Sequence, residues 1–356
     1  MRFLSLTIPS GLLLVCLSTM PAAHGQADWD SYNTAGMAAY NKGDFAEAEK
    51  SLSAGLKAAE TLGPEGARVA ASLTNLAAVY ESQGKFGQAE PLLKRALTIT
   101  EKAPSAEQVN LGGILNNLAE LYIAQAKYSE AEPLIKRSLA IAEKQFGPND
   151  RQVAISLNNL ATLYVKQAKF AEADPLFRRA LSIDEKVLSD KDPDLAADFN
   201  SMAEVDRNQG KYAESEVLFK KAIAIYEKAL GPDRTEVAKC LCNLGSVCFL
   251  QGKNSEAEDF YKRSLAINEK AAGADQLDLA SSLDGLAVVY DTEGKHAEAD
   301  PLFKRSLAIR EKALGPNHPS LASFLQNYAA HLRATKHASE ADQMEAREKA
   351  IRAANH

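Results

Sequence analysis

A chain of 356 residues with 41 Lys and Arg against 47 Asp and Glu carries a formal charge of −6. That is the wrong sign for a phosphate-binding face, so no nucleic-acid partner is expected. No apolar run approaches the roughly 18 residues needed to cross a bilayer.

Residues 1–25 have the layout of a secretory signal peptide: one basic residue (Arg2), an apolar stretch to about Leu17, then Ala22, Ala23 and Gly25. Cleavage after Gly25 would start the mature chain at Gln26 and make it an exported protein, periplasmic or secreted, with no membrane span left. The competing reading is a helical or disordered tail. A lipoprotein signal on Cys16 fits less well, because Val15 stands where a small residue is expected.

Beyond the leader the chain repeats itself. A looser unit over residues 26–68, read as a degenerate capping repeat, places Gly43 and Phe45 41 residues before Gly84 and Phe86. Leu73, Leu115, Leu157, Phe199, Leu241, Leu283 and Leu325 then follow at a fixed spacing of 42. That defines six full repeats over residues 69–324 and a partial, capping repeat over residues 325–356. Such an array is not counted in ordinary domains, because each unit packs only on its neighbours.

Each unit reads as two helices. Leu111, Leu115, Leu118, Ala119 and Tyr122 form the apolar stripe of a first amphipathic helix. A "QGK" or "QAK" turn ends it, with Gly84, Gly210, Gly252 and Gly294 suited to a left-handed cap. Ala131, Leu134, Ile135, Leu139 and Ile141 give the second helix its buried side. Glu90–Lys94, Glu132–Lys136 and Glu216–Lys220 set acid four residues before base on an exposed face. "GPND", "GPDR" and "GPNH" then stop one helix and start the next. Pro91, Pro133, Pro175 and Pro301 fall early in second helices, where they bend without breaking them.

The run Leu115, Leu118, Ala119, Tyr122, followed by Ala131, Ile135 and Ser138, resembles the tetratricopeptide repeat. The 42-residue period with "EAEPLIKRSLAIAEK" and a Gly-Pro linker is similar to its kinesin light chain subclass, of a bacterial exported type, over about residues 29–356. The resemblance implies an all-α fold: an α-solenoid of about eight helix-turn-helix repeats wound as a right-handed superhelix. Its concave face, lined by first helices, would bind peptides or protein segments. Glu143 and its equivalents stand where shorter repeats have proline, in keeping with a longer second helix.

No catalytic constellation is expected, nor any cofactor or metal. There is no His-Glu-x-x-His helix and no Gly-x-Ser-x-Gly elbow. His296, His318, His331, His337 and His356 are scattered at spacings that do not suggest ligands, and His296 occupies a packing slot filled elsewhere by Phe86 and Tyr128. Cys240, Cys242 and Cys248 lie on one helix, pointing different ways, and read as small core residues.

The positions two before, two after and five after each leading hydrophobe point away from their own helix's core. Asn75, Asn117, Asn159, Asn243 and Asn327 recur there, beside Asn116, Asn158 and Asn200. Such amides can hold an extended backbone without reading its sequence; the bland alternative is that they bond along their own or neighbouring helices. Glu120, Glu204, Lys166, Arg207, Asn208 and Lys239 would add charge selectivity. The expected function is thus a non-catalytic scaffold for a protein or peptide partner, the alternative being a structural part of a cell-envelope assembly that uses its convex face or edges. One break stands out. Where Tyr80, Tyr122, Tyr164 and Tyr290 recur, the fourth and fifth full units have Asp206 and Cys248, with Gly245 nearby. That seam reads either as a hinge or as a core refilled by Met202, Phe219, Phe249 and Tyr261.

Overall fold

The computed structural model describes residues 24–104, 110–271 and 276–354. The signal-peptide reading of residues 1–25 lies outside them, apart from His24 and Gly25. Among the described residues there are sixteen helices and no strand. They form antiparallel pairs in chain order: α1 (His24–Asn41) with α2 (Phe45–Leu62), α3 (Ala67–Ser82) with α4 (Phe86–Lys102), α5 (Leu111–Ala124) with α6 (Tyr128–Phe146), and α7 (Arg151–Lys166) with α8 (Phe170–Val187). There follow α9 (Pro193–Asn208) with α10 (Tyr212–Leu230), α11 (Thr235–Leu250) with α12 (Asn254–Lys270), α13 (Gln276–Thr292) with α14 (His296–Leu314), and α15 (Leu321–Ala334) with α16 (Ala338–Ala354). The chain divides into two compact units, residues 10–183 and, for the main part of the other, residues 184–356.

The leading hydrophobes lie mid-helix, and the expected boundaries at residues 69 and 325 fall inside first helices, which begin at Ala67 and Leu321. The closing segment is a full pair, begun at Leu321, rather than a partial repeat. Within each compact unit the order of contact is the order of sequence: a first helix packs on its own second helix, which packs on the next first helix.

Three sets of residues build that geometry. The leading hydrophobes Leu73, Leu115, Leu157, Phe199, Leu241, Leu283 and Leu325 are all buried. Asp150 and Asp192 cap α7 and α9, accepting from Gln152 N at 2.8 Å and Asp194 N at 3.0 Å. The third set turns the chain inside each pair. Lys85 N bonds Tyr80 O at 2.7 Å, and the same bond recurs at 2.8 Å from Lys127 to Tyr122 and from Lys169 to Tyr164. It requires a left-handed residue just before the lysine: Gly84 at φ +70°, but Ala126 and Ala168 at φ +58°.

At the break in the tyrosine slot Asp206 and Cys248 are themselves buried. Met202, Phe219 and Tyr261 are buried, and a Cβ added at Gly245 or Gly285 would meet the Tyr261 ring at 3.1 or 2.2 Å. Tyr261 therefore occupies room left by two missing side chains. Asp206 is buried with Lys211 Nζ 3.6 Å from its carboxylate, one of the two partners anticipated from sequence.

A left-handed alanine costs on the order of 1 kcal/mol that glycine does not. Ala126→Gly and Ala168→Gly, both at exposed turns, should each stabilise residues 10–183 by up to about 1 kcal/mol. Urea melts of the single and double variants read this as rising midpoints at constant slope; unchanged or lowered midpoints would contradict it.

Candidate functional site

In each compact unit the first helices of successive pairs lie side by side. A side chain that points off its own helix can therefore still be covered by the neighbouring one, and this sorts the asparagines. Asn75, Asn116, Asn158, Asn159 and Asn200 are buried. Asn75 Nδ2 donates to Asn33 Oδ1 at 2.8 Å, Asn159 Nδ2 to Glu120 Oε1 at 2.9 Å, and Asn116 Nδ2 to Ser156 Oγ at 3.2 Å. Each bond joins one repeat to an adjacent one. At these positions the amides staple helices, which is the blander of the two sequence readings. Asn117 is half-buried, lining a cavity of about 40 Å³ with Thr74, Thr100 and Asn110, and Lys166 is half-buried too.

The residues 184–356 hold a larger space, a cavity of about 790 Å³. Helices α9, α11, α13 and α15 supply most of its wall. Six of the residues singled out from sequence line it: Asn200, Glu204, Arg207, Lys239, Asn243 and Asn327. Several already engage one another. Asn200 Nδ2 and Asn243 Nδ2 both donate to Glu204 Oε1, at 3.0 and 3.2 Å, and Arg207 Nη1 donates to Asn243 Oδ1 at 3.3 Å. Lys239 Nζ sits 3.2 Å from Asp278, and Arg310 is ion-paired with Asp284. Asn208 is exposed and donates to the Glu204 carbonyl at 2.6 Å. Asn327 is exposed on the wall. Apolar surface alternates with these groups: Phe249, Leu277, Val288 and Phe324 face the same space.

One set of wall residues escaped the sequence reading. Between the repeated Ile and Glu of each second helix stands a position that changes from unit to unit: Thr100, Ala142, Asp184, Tyr226, Asn268 and Arg310. Tyr226, Asn268 and Arg310 line the cavity from α10, α12 and α14. Variation at one position inside an otherwise copied block is the signal that could have found them. Asn268 is 4% exposed, and among the described residues neither its Nδ2 nor its Oδ1 has a hydrogen-bond partner. A buried amide left so costs about 1–3 kcal/mol.

Cys240, Cys242 and Cys248 are free thiols. Burial pushes Cys242 up to about 12 and Cys248 up to about 11, far from the lowered values of reactive thiolates. Burial likewise raises Asp284 to about 6 although Arg310 opposes the shift. His296 and His331, distant in sequence, meet around Asp291.

In the unit formed by residues 10–183, burial raises Glu120 to about 7, against the bond from Asn159. Burial, then the charge of Glu120, raises Glu81 to about 8. Both folded values exceed the ordinary carboxylate value of 4.5, so the folded state holds protons that the unfolded state has released. Their stabilising effect is complete below pH 4.5 and is lost as pH rises through 7 and 8. Urea midpoints should fall across that window, and Glu81→Gln with Glu120→Gln should flatten the fall; an equal slope in the double variant would contradict the assignment.

The helix pairs match known families and folds. Tetratricopeptide repeat models match residues 30–102, 111–186 and 194–270, and a second such model matches residues 279–320. No curated protein matches the chain. Among solved structures, a Rap protein complexed with Competence and Sporulation Factor is similar at 16% identity, covering 94% of this chain and 88% of that one with a TM-score of 0.62. A tetratricopeptide repeat protein from Parabacteroides merdae is similar at 20% identity, covering 85% and 98% with a TM-score of 0.54. A Podosopora anserina protein of kinesin light chain type, with nearly identical repeats, shares 24% identity over 56% of this chain and 94% of that one, TM-score 0.48. With the repeat models covering most of its length, the chain belongs to the tetratricopeptide repeat family.

Proposed function

We propose that this protein is a non-catalytic scaffold that holds an extended segment of a protein partner in the cavity of residues 184–356. The observation that carries the reading is Asn268, a buried amide without a hydrogen-bond partner among the described residues, on the wall of a space of about 790 Å³. A peptide backbone offers the donor and acceptor such an amide lacks. Exposed Asn327 would extend the contact, and Phe249, Val288 and Phe324 would take apolar side chains between the backbone contacts. The charged wall residues are largely engaged with one another, which favours a partner held by backbone and apolar contacts over one selected by charge. A structural neighbour solved in complex with Competence and Sporulation Factor lends the reading support by analogy.

An assembly role through the outer face has less behind it. The repeated arginines of the second helices are consumed by neighbouring repeats: Arg179–Glu143 at 2.7 Å among residues 10–183, and Arg305–Glu269 and Arg347–Glu311 at 2.6 Å among residues 184–356. Export through a cleaved leader remains part of the proposal. It predicts an intact mass beginning at Gln26 for protein recovered from a periplasmic fraction, and Met1 retained on a cytosolic protein would remove it.

The binding reading makes a stability prediction that needs no knowledge of the partner. Asn268→Leu should leave the free protein as stable or more so, since it removes an unsatisfied group. Asn159→Ala should destabilise by about 1–3 kcal/mol, because it strips Glu120 of its donor. A photo-crosslinker at Asn327 should capture a protein in cells, the yield falling with Asn268→Leu, while one at exposed Lys304 on the outer face should not. Capture from Lys304 alone would move the function to the outer surface.

A further inference from the structure

At the sixth position after the leading hydrophobe, six successive units place a buried aliphatic residue: Val79, Leu121, Leu163, Val205, Val247 and Val289. The seventh places His331, 1% exposed. An imidazole in an aliphatic slot loses hydration, so its two nitrogens need partners. His331 Nδ1 lies 2.7 Å from Asp291 Oδ1, at the end of α13. The same carboxylate oxygen lies 2.6 Å from Nδ1 of His296, which opens α14 in the slot of Phe86, Tyr128 and Phe170. The other nitrogen of His331, Nε2, faces Asp300 Oδ1 at 3.7 Å. Phe303 closes the inner side, its ring centroid 5.1 Å from that of His331.

We propose that Asp291, His296 and His331 form a binding site for one divalent transition-metal ion of the zinc class. Two imidazoles and a carboxylate converge with ligand atoms within 4.8 Å of one another, and that N₂O donor set suits zinc and its neighbours. Zinc bonds of about 2.0–2.1 Å in a tetrahedron place ligand atoms about 3.3 Å apart. The Asp291 oxygen, now hydrogen-bonded to both rings at 2.6 and 2.7 Å, thus needs to part from each nitrogen by less than 1 Å. Each neutral imidazole that binds through Nδ1 carries its proton on Nε2. For His331 that proton points to Asp300, the carboxylate–histidine arrangement that orients metal-bound rings. Three protein ligands leave a fourth position. It opens on the side where the Asp291 and His296 side chains are 21% and 38% exposed, so an ion can enter and keep a water. The three ligands come from α13, α14 and α15, so the ion would pin the closing helix pair to the pair before it. The site is independent of the cavity and of the function proposed for it.

The repeat supplies variants whose folding is not in doubt: His331→Val restores the residue of four preceding units, and His296→Phe that of Phe86 and Phe170. The full chain, stripped with a chelator, is titrated with Zn²⁺ by calorimetry and with Co²⁺ by visible absorption. The wild type should bind one equivalent, show the intense visible bands of tetrahedral Co²⁺, and melt at higher temperature with Zn²⁺. Either variant should weaken binding by at least about 100-fold and abolish the bands and the thermal shift, whereas Asp300→Asn should weaken it by about 10-fold. Wild type and the double variant His296→Phe with His331→Val binding Zn²⁺ equally would overturn the proposal and leave a hydrogen-bonded core cluster.

Discussion

Each helix pair in this chain carries two apolar faces and can cover only one by itself, so every unit depends on its neighbour for burial. The residues that recur at the 42-residue period are mainly those that satisfy this dependence. Leucines at the leading position form the core, and polar side chains lock the seam around them. Trp29 Nε1 donates to Ser72 Oγ at 2.7 Å, Tyr122 reaches Glu90, Tyr164 reaches Glu132 and Tyr290 reaches Glu258, each across one unit boundary. Exposed ion pairs contribute little singly. Repeated at the same place in successive units, they fix register as much as stability. Copying in the sequence is therefore a statement about stacking and leaves the ligand unspecified.

That is why the fold was legible and the site less so. Helix periodicity, the Gly-Pro linkers and the glutamate–lysine spacing follow from local chemistry that acts within one unit, and they read directly from one strand of text. Burial of the asparagines does not. On a single helix Asn75 and Asn159 point away from the core; only the adjacent first helix turns those positions into an interior and the amides into staples. The unit boundaries shifted for a related reason. A leading leucine marks the middle of a buried stripe, whereas a helix begins where a cap such as Asp150 or Asp192 can satisfy free backbone amides.

What the sequence hid most completely were contacts between departures from the pattern. His296 and His331 are 35 residues apart, a spacing that suggests no ligand pair. One turn of the stack brings them to the same carboxylate oxygen. Asn268 sits inside a copied block where nothing but the change of residue type from unit to unit marks it. In both cases the information lies in the difference between one unit and its copies, and it becomes chemistry only after the copies are stacked.

The same logic explains the shape of the cavity wall. Gly285 stands in the slot where Asn75, Asn117, Asn159, Asn243 and Asn327 recur, and Gly245 in that of Ala119 and Ala161. Without those two side chains the Tyr261 ring moves into their room and joins the wall beside Asn243 and Asn268. The asparagine series is thereby interrupted between Asn243 and Asn327. An aromatic face, rather than another amide, lies between two potential backbone contacts. A partner laid across this wall would meet polar, aromatic and polar surface in turn. On the binding reading proposed above, selectivity would reside in the units that break the repeat, and the units that keep it supply the frame.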